Sequence, residues 1–125
     1  MHDLIIIGAG PAGLSASVYA SRYGIKHVIL GEVAGGLLTQ TFDVGNWLGT
    51  EAIRGQTFAD NAAKHAKSYG VEILPLTVER ITNQGAIFEV SASGKIFQTK
   101  TILVATGTKH RHLGVPGEEA FAGKG

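Results

Sequence analysis

"LIIIGAGPAGLSAS" (residues 4–17) sets four apolar residues, three of them isoleucine, directly ahead of a tight cluster of glycines. The run up to Ile7 predicts a strand buried on both faces of a parallel sheet. Beyond the glycines, Leu14, Val18 and Tyr19 recur at helical spacing with small Ala16, Ser17 and Ala20 between them, and Gly24 is placed to terminate that helix. Residues 26–30 return to strand character, completing a βαβ unit of about 30 residues. At the strand-to-helix junction Gly8, Gly10 and Gly13 spell G-x-G-x-x-G. In that context the first glycine permits a tight turn, the second lets a pyrophosphate approach the backbone, and the third lets helix and strand pack closely. The free N–H groups and positive dipole end of the helix face the phosphates, and Pro11 has no N–H to leave unsatisfied. A purely structural glycine turn is the alternative; the flanking strand, helix and second strand favour dinucleotide binding. Such a site needs an acid near the end of the second strand to accept from the ribose. Glu32, 19 residues beyond Gly13, is the only acid there, and it reads equally as an exposed loop glutamate.

Outward from that unit, residues 31–55 lose all periodicity, yet Val33, Leu37, Leu38, Phe42, Val44, Trp47 and Leu48 make the segment too apolar for disorder. Ordered loops of this length are commonly functional. Residues 56–69 resume helical spacing through Phe58, Ala62, Ala66 and Tyr69, with Asp60, Lys64, His65 and Lys67 on the outer face. Residues 71–74 read as a short strand. Residues 77–82, 86–91 and 95–99 alternate apolar and polar positions between "NQG" and "SG" turns, a three-stranded meander. Residues 101–105, "TILVA", form a further buried-type strand that runs into Thr106 and Gly107.

The bulk numbers narrow the function classes. A chain of 125 residues has room for one core. Eleven Lys and Arg against ten Asp and Glu leave no field that points to nucleic acid or an anionic membrane. Without cysteine the chain has no disulfide framework and no thiol chemistry of its own, which fits a reducing compartment. No apolar run approaches the roughly 20 residues that cross a bilayer, and the amino terminus lacks the pattern of a signal peptide. The expectation is a cytoplasmic protein without nucleic-acid or membrane partners. The "HRH" of residues 110–112 offers too few converging ligands for a metal and reads as a solvated basic loop.

Three linked tracts, "DLIIIGAGPAGLSASVYASRYG", "GGLLTQTFDVGNWLG" and "TILVATGTKHRHLGVPGEEAFAGKG", resemble in order and spacing the amino-terminal FAD-binding part of low-molecular-weight thioredoxin reductases. The resemblance implies an α/β, Rossmann-like three-layer fold of parallel sheet, helices and small antiparallel meander. It also implies a flavoprotein that passes electrons from NADPH through FAD to a cysteine pair and on to the disulfide of a thioredoxin-like protein, as a homodimer. Carried over by position, Gly8, Gly10, Pro11, Ala12 and Gly13 match the pyrophosphate turn. Gly31, Glu32, Gly35, Gly36 and Leu37 match the segment beside the adenosine half and the approach to the flavin. Asn46, and more weakly Thr41, match flavin-side hydrogen-bonding positions, Val78 a backbone contact to adenine, and Ala105, Thr106 and Gly107 the strand-end turn beside the cofactor. The chain departs from the family where Leu37 and Leu38 stand for glutamine and leucine, and where Gly45 and Leu48 replace an acid and a proline. Trp47 reads alternatively as a core aromatic, and Asn46 and Thr41 as satisfying loop backbone.

In the family the "GVPGEE" tract is followed closely by C-x-x-C in an NADPH-binding domain, after which the chain returns to finish the FAD domain. The expectation is therefore that these residues are a portion of such a protein, binding FAD weakly or not at all by themselves and not reducing disulfides. The alternatives are a cysteine-free flavin-dependent NAD(P)H oxidoreductase of ferredoxin–NADP reductase type and a noncatalytic nucleotide-binding module. No catalytic residue and no metal ligand is expected within the chain.

Overall fold

A computed structural model describes residues 1–109 and 111–124. β1 (His2–Ile7) leads into α1 (Pro11–Arg22) and β2 (His27–Leu30). A short 3-10 helix (Gly36–Gln40), β3 (Asp43–Val44) and β4 (Ile53–Arg54) fill the long aperiodic segment. Then come α2 (Gly55–Lys67), β5 (Ile73–Leu74), β6 (Val78–Asn83), β7 (Phe88–Ala92), β8 (Lys95–Val104) and the single-turn α3 (Glu118–Phe121). The main sheet runs β5-β2-β1-β8-β7-β6, and β3 pairs with β4 apart from it. β5, β2, β1 and β8 are mutually parallel, while β8, β7 and β6 run antiparallel.

The two-residue period of β1 explains its unbroken apolar run. Ile6 points to the helices, where it packs with Leu14, Ile29 and Ala66. Ile5 and Ile7 point to the opposite side, where they meet Val28, Leu30, Val90 and Ala92. Because Val90 and Ala92 belong to β7, the antiparallel strands fold back over the face of the parallel ones and make the third layer. Each of the large apolar side chains in these clusters contributes about 1.5–3 kcal/mol through burial.

The expected strands at residues 95–99 and 101–105 are one strand. β8 pairs with β7 through Lys95–Thr99 and with β1 from Thr99 onward, so the meander flows into the parallel sheet without a break. Thr99, at the changeover, is fully buried and donates its hydroxyl to the Thr101 carbonyl at 2.9 Å. The strand expected over residues 71–74 shortens to β5, with Val71 still packed on the helix-side core. Trp47 is no core aromatic: it is 56 % exposed, with its ring against Phe58 of α2 at 4.9 Å between centroids. The polar face expected of α2 is as read, with Asp60, Lys64, His65 and Lys67 all exposed.

One polar staple ties α1 to β2. His27 Nδ1 lies 2.8 Å from the Ile25 carbonyl, which can only accept, so that nitrogen carries the proton. Nε2 is thereby left to accept from the fully buried Ser17 hydroxyl at 2.8 Å. Among the described residues no helix is long and apolar enough to cross a membrane.

Candidate nucleotide-binding site

The carboxyl ends of β1, β2 and β8 meet at the first glycine turn. Gly8 donates its N–H to the Leu30 carbonyl at 2.7 Å, and Ala105 donates to the Ile7 carbonyl at 2.8 Å. Gly8 has φ +114°, and a Cβ there would collide with the Ala105 backbone, so both conformation and space demand glycine. Gly13, buried in α1, presses its Cα against the Gly8 carbonyl, leaving no room for a side chain. Helix and strand are thus locked together by glycine-to-backbone contact, the packing role the motif predicts.

Gly10 differs from both neighbours. It caps α1 in an extended conformation (φ −73°, ψ −179°), and a Cβ there would meet nothing within 4 Å. The first intrahelical bond of α1 is donated by Leu14 to the Gly10 carbonyl, so the amides of Ala12 and Gly13 have no acceptor within the helix. No side chain caps this end and no acid lies in the first turn, while Pro11 and Ala12 are exposed. An open glycine in front of uncapped amides at a positive dipole end leaves donors and a favourable field that an anion could use.

The loop after β2 is built onto that turn. Gly31 donates to the Leu74 carbonyl at 3.0 Å and sits so close to Ala9 that a side chain would clash with its amide. Gly35 donates to the Ala9 carbonyl at 2.7 Å, and a Cβ on Gly36 would lie 3.1 Å from the Gly10 Cα. Glu32 is exposed at the end of β2 and accepts a hydrogen bond from the Thr77 hydroxyl. Val78, the next residue, packs its half-buried side chain against the meander-side core. Thr106 and Gly107 follow Ala105 as exposed residues.

The family of folds with this edge geometry is settled by comparison. The profile described as pyridine nucleotide-disulphide oxidoreductase matches residues 2–125. The chain belongs to that family. Thioredoxin reductase of Listeria monocytogenes is 35% identical over 126 residues, covering 100% of this chain and 40% of the relative. NADH dehydrogenase of Bacillus subtilis is 32% identical over 124 residues, covering 98% and 24% respectively. The crystal structure of Lactococcus lactis thioredoxin reductase superposes with a TM-score of 0.91 at 35% identity, over 97% of this chain and 40% of that one. The chain therefore spans 24% to 40% of the length of these relatives.

Within this member of the family, other expected residues stand apart from the turn. Leu37, the second residue of the 3-10 helix, is exposed, and its carbonyl accepts the Thr41 hydroxyl at 3.1 Å, so Thr41 serves the local backbone. Asn46 is exposed in the turn between β3 and β4, and no hydrogen bond of its side chain to the glycine turn is present among the described residues. His110 of the basic tract lies outside the described residues. His112 Nδ1 stands 3.6 Å from Glu118, whose carboxylate accepts from the Leu113 and Gly114 amides at 2.8 and 2.7 Å. Among the described residues no group of three or more His, Asp or Glu side chains could hold a metal. The sequence reading missed Thr77 and Ser17, whose partners lie 45 and 10 residues away and leave no periodic signal.

Proposed function

We propose that this chain is the FAD-binding portion of a thioredoxin reductase-like flavoprotein, which moves electrons from NADPH through FAD to the disulfide of a thioredoxin-like protein in the cytoplasm, as a homodimer. The observation that carries the reading is the open Gly10 in front of the uncapped amides of Ala12 and Gly13, with the Glu32 carboxylate at the next strand end. These groups suit the ADP half of a dinucleotide. The Gly10, Ala12 and Gly13 backbone receives the pyrophosphate, Glu32 accepts from the ribose, and the Val78 backbone borders the adenine. Ala105, Thr106 and Gly107 line the far wall. Leu37, Thr41 and Asn46 belong to the segment proposed to border the flavin. Bound FAD supplies the electron transfer, and the protein supplies orientation and local field.

No thiol of these 125 residues can meet a disulfide, since the chain contains no cysteine. One second reading, a flavin-dependent NAD(P)H oxidoreductase without disulfide chemistry, is favoured by the name of the Bacillus relative, NADH dehydrogenase. To test the main reading, the purified chain is titrated with FAD and assayed for NADPH-dependent disulfide reduction. Weak FAD binding without turnover is expected. Absence of any interaction at millimolar FAD, or substantial turnover by the chain alone, overturns it.

A further inference from the structure

Glu32 is one residue past the end of β2, and it has no cationic partner among the described residues. What holds it is a hydroxyl from a distant segment: Thr77 Oγ1 donates to Glu32 Oε1 across 45 residues of chain. Thr77 is itself braced. Its N–H donates to Ser93 Oγ at 3.0 Å, and its carbonyl accepts from the Ser93 N–H at 3.0 Å. Ser93 sits in the turn between β7 and β8 with φ +46°, the one non-glycine residue in the left-handed region among those described. Serine there costs backbone energy that glycine would avoid, yet only a side chain with an acceptor can engage the Thr77 amide. The meander therefore reaches over the parallel sheet and ends in a hydroxyl aimed at the carboxylate beside the first glycine turn.

An ionised carboxylate offers about four acceptor positions on two oxygens. Thr77 occupies one on Oε1, fixes the rotamer and leaves the charge uncompensated, so Oε2 is free to accept from a hydroxyl donor. We propose that Thr77, braced by Ser93, is the positioning residue that orients Glu32 to read the ribose 2′-hydroxyl of an adenine nucleotide. This rests on the reading of the glycine turn as a pyrophosphate receptor. It adds that ribose recognition depends on the meander as well as on the βαβ unit.

The probes are ADP and 2′-deoxy-ADP, titrated into the isotope-labelled chain and followed at the Gly10, Ala12 and Gly13 amides. The unsubstituted chain is expected to bind ADP more tightly than the deoxy nucleotide by about tenfold, the effect of one hydrogen bond to a charged group. Thr77→Val keeps the shape and removes the donor; its preference for ADP should collapse to about twofold or less, while its affinity for 2′-deoxy-ADP stays unchanged. Thr77→Ser restores the donor and should restore the preference. A purely structural threonine would weaken both nucleotides alike. If the chain binds both nucleotides equally, or Thr77→Val keeps the full preference, the proposal fails while the pyrophosphate reading stands. If ADP moves none of the three amides, the pyrophosphate reading fails, and this proposal with it.

Discussion

Replacing Gly13 and Gly10 by alanine, one at a time, should separate folding from binding. A methyl on Gly13 would lie inside contact distance of the Gly8 carbonyl oxygen, 3.1 Å from the Gly8 carbonyl carbon and 3.3 Å from Ile6 Cγ2. Gly8 cannot retreat, because its N–H is tied to Leu30 at 2.7 Å and its Cα abuts the Ala105 backbone. Overpacking of this kind costs about 1–3 kcal/mol, which for a domain of this size lowers Tm by roughly 3–12 °C. At Gly10 the backbone is already extended and the space is open. Alanine is the poorer cap by about 0.5–1 kcal/mol, and the entropy it removes from the unfolded chain returns about 0.4–1 kcal/mol. Thermal unfolding followed by circular dichroism should therefore leave Gly10→Ala within about 2 °C of the parent. The same methyl stands where a pyrophosphate must approach, and a clash worth about 1–3 kcal/mol weakens FAD binding by about 5- to 150-fold. The reasoning is refuted if Gly10→Ala destabilises as much as Gly13→Ala, or binds FAD as well as the parent.

The remaining predictions concern the frame around the site. His27→Leu and Ser17→Ala should each cost about 1 kcal/mol in chemical denaturation, since the first leaves the fully buried Ser17 hydroxyl and the second the half-buried His27 ring without its partner, and the double variant should cost less than the sum. Burial, reinforced by the positive amino terminus and Lys26, holds the His2 pKa below 6.5. The unfolded chain then binds more protons, so stability is full above pH 6.5, declines as pH falls below it and levels off beneath the native pKa. His2→Gln should flatten that slope in a pH series of Tm values, and an unchanged slope would contradict the assignment. Glu118→Gln should weaken the grip on the Leu113 and Gly114 amides, seen as faster hydrogen exchange at those two positions with the core unaffected.

The βαβ unit was legible because each of its cues is local. Ile5, Ile6 and Ile7 carry the signature of a strand buried on both faces, and Gly8 and Gly13 stand where the turn and the helix packing need them, with Gly10 open between. The join in β8 was not legible. Its residues pass from an antiparallel partner to a parallel one at Thr99, and the polar run Thr99, Lys100, Thr101 mimics a break although the Thr99 hydroxyl is satisfied within the strand. The loop after β2 has no period because its order comes from distant backbone, with Gly35 bonded to Ala9 and Gly55 packed against the Leu38 and Thr41 carbonyls. Glu32 was visible as the one acid near the end of β2, 19 residues beyond Gly13. Thr77, which hydrogen-bonds it, and Ser93, which bonds Thr77, belong to turns whose meeting depends on how the meander folds over the sheet.

The central claim is that the α1 N-terminus and its glycine turn hold the pyrophosphate of FAD, and an amide map of the labelled chain titrated with FAD to millimolar concentration tests it most directly. The account predicts concerted, saturable shifts at Gly10, Ala12 and Gly13, with smaller ones at Glu32 and Thr106. Saturable shifts confined to the turn around Asn46 and Trp47, with those three amides unmoved, would contradict it.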